Sequence, residues 1–139
     1  MPMGFEYGSR KALHVVETSP SDWQPNGIDL CPFIARVNAI KKAYAVFSEE
    51  SPVSVLPCHN PNILFMWKAS TKKRDEALLI LNKDPWQRQE FHTDHFRDFV
   101  QAGAPLRDVS PEYPLEYIHE PFHYVLRPGQ GIVLVTERN

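Results

Sequence analysis

An unbroken apolar run in the middle of the chain, from Ala77 to Leu81, limits the possible folds more than any other feature of the sequence. The run is too short for a buried helix of ordinary length, and Pro85 ends it soon afterwards. Such a run is typical of a strand that is covered on both faces. Similar runs occupy residues 63–67 and 132–135. The three segments are therefore predicted to be the inner strands of one β unit.

The bulk composition restricts the class of protein. The chain has 139 residues, of which 42% are hydrophobic and 23% are charged, as is usual for a soluble globular domain. A net charge of −2 gives no general attraction to nucleic acid or to anionic lipid. No apolar run approaches the ~20 residues that span a bilayer, and the N-terminus lacks a signal-peptide pattern. We therefore expect a cytoplasmic protein with no nucleic-acid and no membrane partner, whose two cysteines, Cys31 and Cys58, are unpaired.

One helix and several short strands are predicted around the inner strands. The helix covers residues 29–48, with Asp29 as its N-cap. Its apolar positions recur at helical spacing and form one stripe: Leu30, Phe33, Ile34, Val37, Ile40, Tyr44 and Phe47. This stripe is predicted to pack against the β unit or against a second copy of the chain. Further strands are predicted at 53–56, 87–92, 106–110, 115–119 and 122–127, and a short helix or helical turn at 93–103. Short strands separated by prolines favour a sandwich or a barrel.

The charged and titratable residues give only weak signals for chemistry. His92 and His95 have the i, i+3 spacing that could place two metal ligands on a helix, and His119 and His123 form a second pair. A zinc site needs three or four ligands, so no metal and no cofactor are predicted. The basic triplet at 72–74 is interpreted as a solvated hairpin loop, since no wider basic face accompanies it. Cys58 is adjacent to His59, but neighbouring residues of a strand face opposite ways.

The three tryptophans, Trp23, Trp67 and Trp86, are candidates for stacking on sugar rings. Trp67 lies in an apolar run and is predicted to be a core residue. Trp23 and Trp86 lie beside prolines, and packing over the edge of the β unit is the favoured interpretation for them. Neither a nucleophile motif nor a pair of carboxylates with fixed spacing is evident, so no catalytic residue is predicted.

The order of these segments resembles the C-terminal part of α-amylase family glycosidases. The segment from Met3 to Gly8, Met-Gly-Phe-Glu-Tyr-Gly, is similar to the end of the last strand of the family's (β/α)8 barrel and the turn after it. Thr18, Pro20 and Trp23, followed by the helix that carries Ile28-Asp29-Leu30 and Phe33-Ile34, resemble the last barrel loop and helix, especially in the maltosyltransferase-like branch. Residues 62–82, ending in Ala77-Leu-Leu-Ile-Leu-Asn82, are similar to the opening hairpin of the C-terminal β domain. Residues 106–110 and 126–135 resemble its later strands.

The resemblance implies both a fold and a role. Residues 1–51 would be the last strand–loop–helix segment of an incomplete barrel, and residues 52–139 an antiparallel Greek-key β-sandwich of the α-amylase C-terminal domain type. The expected fold is thus mainly β, preceded by one long α-helix. The family's catalytic carboxylates would lie upstream of Met1, so the chain would be an accessory part of an enzyme acting on α-glucans. Active sites of such barrels lie at the C-terminal ends of the strands, which would bring Glu6, Tyr7, Arg10 and Trp23 near the substrate.

The expected partners follow from the same resemblance. They are the catalytic barrel of the parent enzyme and an α-glucan, and the helix or the sheet face could also support a homo-oligomer. Hydrolysis and maltosyl transfer both remain open for the parent enzyme. Two alternatives also remain open: a stand-alone carbohydrate-binding β-sandwich module, and an unrelated small enzyme that uses the histidines.

Overall fold

The computed structural model describes residues 4–9, 14, 16–22, 26–71, 75–100 and 105–136. The chain divides into two compact units, Met1–Ala39 and Ile40–Asn139. The helices are α1 Cys31–Ala43 and α2 Ala45–Ser48, with 3-10 turns at Phe5–Tyr7, Pro20–Asp22 and Phe96–Asp98. The strands are β1 Val53–Val55, β2 Ile63–Ala69, β3 Glu76–Asn82, β4 Gln89–Thr93, β5 Leu106–Asp108, β6 Phe122–Leu126 and β7 Gly131–Thr136.

The protein is mainly β, with antiparallel sheets and few helices, as the sequence predicted. The assignment of residues 1–51 and 52–139 to a barrel remnant and a β domain stays a prediction.

The larger sheet has five strands in the order β1-β2-β3-β7-β5, and every neighbouring pair is antiparallel. The three apolar runs are β2, β3 and β7, and β3 lies at the centre between the other two. The prediction that these runs are the inner strands of one β unit is therefore confirmed. The apolar run succeeded as a signal because a central strand has neighbours on both edges and side chains against both of its faces.

The main core lies on one face of the five-stranded sheet. Alternate residues of β2, β3 and β7 point into it, among them Phe65, Leu78 and Leu134. The second sheet, β4 paired with β6, contributes Phe91, whose ring centroid lies 5.0 Å from that of Phe65. Phe122 of β6 packs in the same cluster. The inward residues of both sheets thus share one core.

The opposite face of β3 is covered in part by α2. Val46 is fully buried and clusters with Ala77 of β3 and Val135 of β7, with Tyr44 and Phe47 packed around them. The expectation that the second face of the inner strands has an apolar cover is met here. The docking of the remaining stripe residues, Leu30 and the four that belong to α1, stays a prediction.

The predicted single helix over 29–48 is wrong in one respect, because the structure has two helices. Tyr44 adopts an extended conformation, with φ −119° and ψ 120°, and separates α1 from α2. Val46 does not belong to the predicted stripe. After the break, however, its side chain lies in the apolar cluster with Ala77 and Val135. At the N-terminal end, α1 begins at Cys31, two residues after the predicted start, and Leu30 holds the N-cap position because its carbonyl oxygen accepts from the amide of Ile34. Asp29 precedes the cap, and its carboxylate accepts a hydrogen bond of 2.9 Å from the amide of Cys31.

Two other sequence predictions need correction. The predicted strand at 115–119 is not a strand; Leu115 and Ile118 instead pack against the main core from an irregular segment. Prolines at positions 111, 114 and 121 remove ladder donors there, and Tyr113 has a left-handed backbone with φ 50°. The predicted helix or helical turn at 93–103 is observed only as the short 3-10 turn Phe96–Asp98. In the described part of the chain, no helix has the length and apolar content needed to cross a membrane.

Candidate functional site

Glu6 and Tyr7, two of the predicted substrate-binding residues, lie in the 3-10 turn near the start of the chain. Glycines with left-handed backbones flank the turn, Gly4 at φ 85° and Gly8 at φ 60°. The amide of Leu30 donates a hydrogen bond of 2.7 Å to the carbonyl oxygen of Glu6. A Cβ on Gly8 would meet the side chain of Ile28 at 3.0 Å. The turn is therefore fixed against the segment that precedes α1.

The Tyr7 hydroxyl has a specific partner. It donates a hydrogen bond to the Cys31 thiol, and this bond, with the nearby thiol and the carboxylates of Asp29 and Glu6, raises the pKa of Tyr7. The Tyr7 hydroxyl thus remains a neutral donor at neutral pH, and Tyr7 is 39% exposed. The two other predicted substrate-binding residues, Arg10 and Trp23, lie outside the described residues. The basic triplet 72–74 also lies outside them.

The histidines group differently from the prediction. His92 and His95 do not share a helix, because His92 lies in β4 and His95 follows that strand. His92 instead stacks on His59, with ring centroids 3.8 Å apart, and is the cross-strand neighbour of His123. His95 lies 3.3 Å from the Glu120 carboxylate. Within the described ranges, no three His, Cys, Asp or Glu side chains form a group that could hold a metal ion.

Cys58 and His59 do not form a nucleophile–base pair. Cys58 is half-buried and packs against the main core, whereas the exposed His59 ring is stacked on His92. Cys31 and Cys58 are both free thiols.

The two described tryptophans have opposite environments. Trp67 packs against the main core, as predicted, and its indole N–H donates a 3.3 Å hydrogen bond to Glu76. Trp86 is 86% exposed, so the favoured interpretation that it packs over the edge of the β unit is wrong. Trp86 lies in a loop, residues 83–88, that leaves the end of the central strand. We call this segment the Trp86 loop.

Two side chains, the Asp84 carboxylate and the Asn82 carboxamide, fix the Trp86 loop at its base. The Asp84 carboxylate accepts hydrogen bonds from the amides of Trp86, at 2.9 Å, and Gln87, at 3.0 Å. These two bonds, with a third from Gln89, lower the pKa of Asp84 despite partial burial. The buried Asn82 amide accepts a bond from the Asp84 amide and donates one of 2.8 Å to the carbonyl oxygen of Gln87. The loop therefore has a single well-supported backbone path.

A second loop, residues 127–130, lies beside the Trp86 loop. Asn82 donates a 2.9 Å hydrogen bond to the carbonyl oxygen of Arg127, and the Gly129 amide donates one of 3.0 Å to that of Asp84. The Arg127 guanidinium lies 4.2 Å from the centroid of the Tyr113 ring, an arrangement typical of a cation–π contact. Sequence reasoning did not find this pair, because residues 113 and 127 become neighbours only in the folded chain.

Two clefts of about 410 and 520 Å³ share Leu106 and Ile118 in their walls. The first contains Glu120, and the second contains Asp108 and the exposed Glu116. Asp108 accepts bonds from Ser110, from its amide and its hydroxyl, and from the amide of Leu115. Glu120 accepts a 2.7 Å bond from the amide of Phe96. Asp108 and Glu120 therefore brace the loops that carry these amides.

Burial would raise the pKa of Glu120, but the Phe96 amide and the neighbouring His95 outweigh burial, and the pKa of Glu120 is lowered. Glu120 is thus an anion at neutral pH and cannot serve there as a proton donor.

No family model matches the chain, and no curated protein matches it. Among the described residues, the arrangement consists of a largely exposed indole on a hydrogen-bonded loop, together with the carboxylates Asp108 and Glu120, which brace loops.

Proposed function

We propose that the chain is the C-terminal accessory part of an α-amylase family enzyme that acts on α-glucans by hydrolysis or by maltosyl transfer. In this proposal residues 1–51 complete a (β/α)8 barrel and residues 52–139 form the C-terminal β domain. The observation that carries the proposal is the position of the segment ending in Asn82: it is the central strand β3, joined to β2 in an antiparallel hairpin. The resemblance likewise assigns residues 62–82 to a hairpin whose second strand ends in Asn82.

The connectivity of the sheets gives further support. The last strand, β7, inserts between β3 and β5, while β4 and β6 form the second sheet. Residues of both sheets share one core, with Phe65 against Phe91. We propose on this basis that the β domain is a Greek-key sandwich of the α-amylase C-terminal domain type, since Greek keys occur in most β-sandwiches.

The proposed role is structural rather than catalytic. Glycoside cleavage needs a positioned acid and a nucleophile or base. Of the three cleft carboxylates, Asp108 and Glu120 accept hydrogen bonds from backbone amides, and Glu116 is exposed. By the resemblance, the catalytic carboxylates belong to the barrel, and Glu6, Tyr7, Arg10 and Trp23 would lie at its substrate-facing rim. The neutral Tyr7 hydroxyl and the Glu6 carboxylate are suitable partners for sugar hydroxyls.

The proposal is tested by comparing this chain with the protein from which it comes. The purified 139-residue chain should not turn over maltooligosaccharides or maltose 1-phosphate. An antibody raised against residues 40–139 should precipitate, from cells that express the protein, an activity that acts on α-glucans. An inactive precipitate would contradict the accessory role, and so would turnover by the purified chain that disappears in Glu6→Gln.

A further inference from the structure

Trp86 is the most exposed of the large hydrophobic side chains in the described part of the chain, at 86%. Buried aromatic side chains dominate the energetics of cores and interfaces, and Trp86 contributes nothing of this kind to the core. Single apolar residues on a surface are common. An indole held fully in water by a rigid loop is a more specific arrangement than a lone exposed aliphatic side chain.

The Trp86 loop is fixed before any ligand arrives. The Trp86 amide is bonded to Asp84, and Asp84 is bonded in turn through its own amide to the buried Asn82. Pro85 restricts the backbone immediately before Trp86. A preorganised site avoids the entropy cost of ordering a loop on binding, so even a weak stacking contact can be retained as affinity.

Polar residues that can bond to hydroxyls lie next to Trp86 in the sequence of the same loop. Gln87 and Arg88 follow Trp86 directly and are both exposed. The adjacent loop carries Arg127, which is exposed and lies over Tyr113, itself 57% exposed. A flat apolar surface with neutral and cationic hydrogen-bond donors beside it is suited to a pyranose ring, which has an apolar C–H face and a rim of hydroxyls.

We infer that the Trp86 loop is a binding surface for a neutral oligosaccharide, with one sugar ring stacked on Trp86 and its hydroxyls bonded to Gln87 and Arg88. The choice of an α-glucan as the oligosaccharide rests on the proposed function. The loop lies in the β unit, far along the chain from Glu6 and Tyr7, so this surface is separate in sequence from the predicted substrate-binding residues. It would hold a glucan chain without cleaving it.

The test is a titration of the full chain with maltoheptaose, followed by isothermal calorimetry and by tryptophan fluorescence. Trp86→Ala should weaken binding at least tenfold. Tyr117→Ala is the matched control, because Tyr117 is also a solvated aromatic residue, 70% exposed, but lies on another segment. It should leave the affinity within twofold of the wild type. Trp86→Ala should keep the thermal midpoint of the wild type, since the indole buries little surface.

The possible results separate the surface from the proposed function. Equal maltoheptaose affinity of the wild type and Trp86→Ala would overturn the inference, as would no binding of any oligosaccharide at millimolar concentration. Binding of a β-1,4-linked glucan through Trp86, with no binding of maltoheptaose, would support the surface and contradict the α-glucan assignment. Binding of an oligothymidylate through Trp86 in place of any sugar would overturn the inference too, because bases also stack on indoles.

Discussion

The Asn82→Ala substitution is predicted to destabilise the β unit strongly, because Asn82 is a buried amide with three hydrogen bonds. Its side chain is at the end of β3 and is 1% exposed. It donates to the carbonyl oxygens of Gln87 and Arg127 and accepts from the amide of Asp84, at 2.8, 2.9 and 2.9 Å. A methyl group in its place leaves all three groups without this partner at the base of two loops.

The expected magnitude follows from the count of bonds. A hydrogen bond contributes about 0.5–1.5 kcal/mol to stability, and a buried group that loses its partner costs about 1–3 kcal/mol. Some of the three freed groups will reach water, since Gln87 and Arg127 are exposed. We therefore expect Asn82→Ala to lower the free energy of unfolding by about 3 kcal/mol. With a urea dependence of about 2 kcal/mol per M, the midpoint of unfolding would fall by about 1.5 M.

Asn60→Ala is the matched control for burial. Asn60 also makes three side-chain hydrogen bonds, two donated to Gln89 and Glu90 and one accepted from the amide of Asn62. It is only half-buried, so water can replace its side chain. We expect a loss of about 1 kcal/mol for this variant. Urea unfolding followed by circular dichroism and fluorescence should give coincident transitions for both proteins. Equal losses for the two variants would refute the argument that burial of the Asn82 amide decides the cost.

Two further predictions concern α2 and the Trp86 loop. Val46→Asp should lower the free energy of unfolding by at least about 3 kcal/mol, because it removes a fully buried apolar side chain and buries a charge; an unchanged thermal midpoint would show that α2 is not docked on the sheet. Asp84→Asn keeps an acceptor for the amides of Trp86 and Gln87 but removes the charge. Since the pKa of Asp84 in the folded chain lies below its ordinary value of 3.8, its charge stabilises the fold above about pH 4 and this contribution is lost as the pH falls through the folded pKa. The difference in thermal midpoint between the wild type and Asp84→Asn should thus be present at pH 7 and shrink below about pH 4, whereas a difference that is constant with pH would contradict it.

The sequence was a good guide wherever a local pattern carries the signal. The three apolar runs predicted the inner strands, because covering both faces of a central strand requires a continuous apolar segment whatever the partner is. Asp29 predicted the start of the helix to within two residues, because its carboxylate bonds to an amide only two positions along the chain. The break at Tyr44 was missed, because the spacing of apolar residues on both sides of it still fits one continuous helix.

The residues of the candidate sites depend on contacts that sequence spacing does not encode. His92 meets His59 and His123, which lie 33 and 31 positions away, so the i, i+3 pattern pointed to the wrong partner. Trp86 was expected to be covered because tryptophan is usually well buried. Its exposure follows from two hydrogen bonds that fix the path of the loop: Asn82 donates to the carbonyl oxygen of Gln87, and the Asp84 carboxylate accepts from the amide of Trp86. Such hydrogen bonds depend on side-chain geometry at the end of a strand. The spacing of apolar residues along the sequence does not predict them.

The end of β3 connects the stability of the fold with the position of Trp86. At Asn82 the backbone leaves the sheet, and the polar groups that follow need partners other than the strand ladder. One buried amide meets this need for two loops, since it bonds to Gln87 on one side and to Arg127 on the other. The backbone beside Trp86 is therefore fixed by the same side chain that closes the central strand. The indole itself, fully solvated, can be removed with little effect on folding. An exposed residue whose backbone is supported in this way can bind a ligand without any loss of core packing. We therefore place the binding surface at Trp86 rather than in the clefts beside β5.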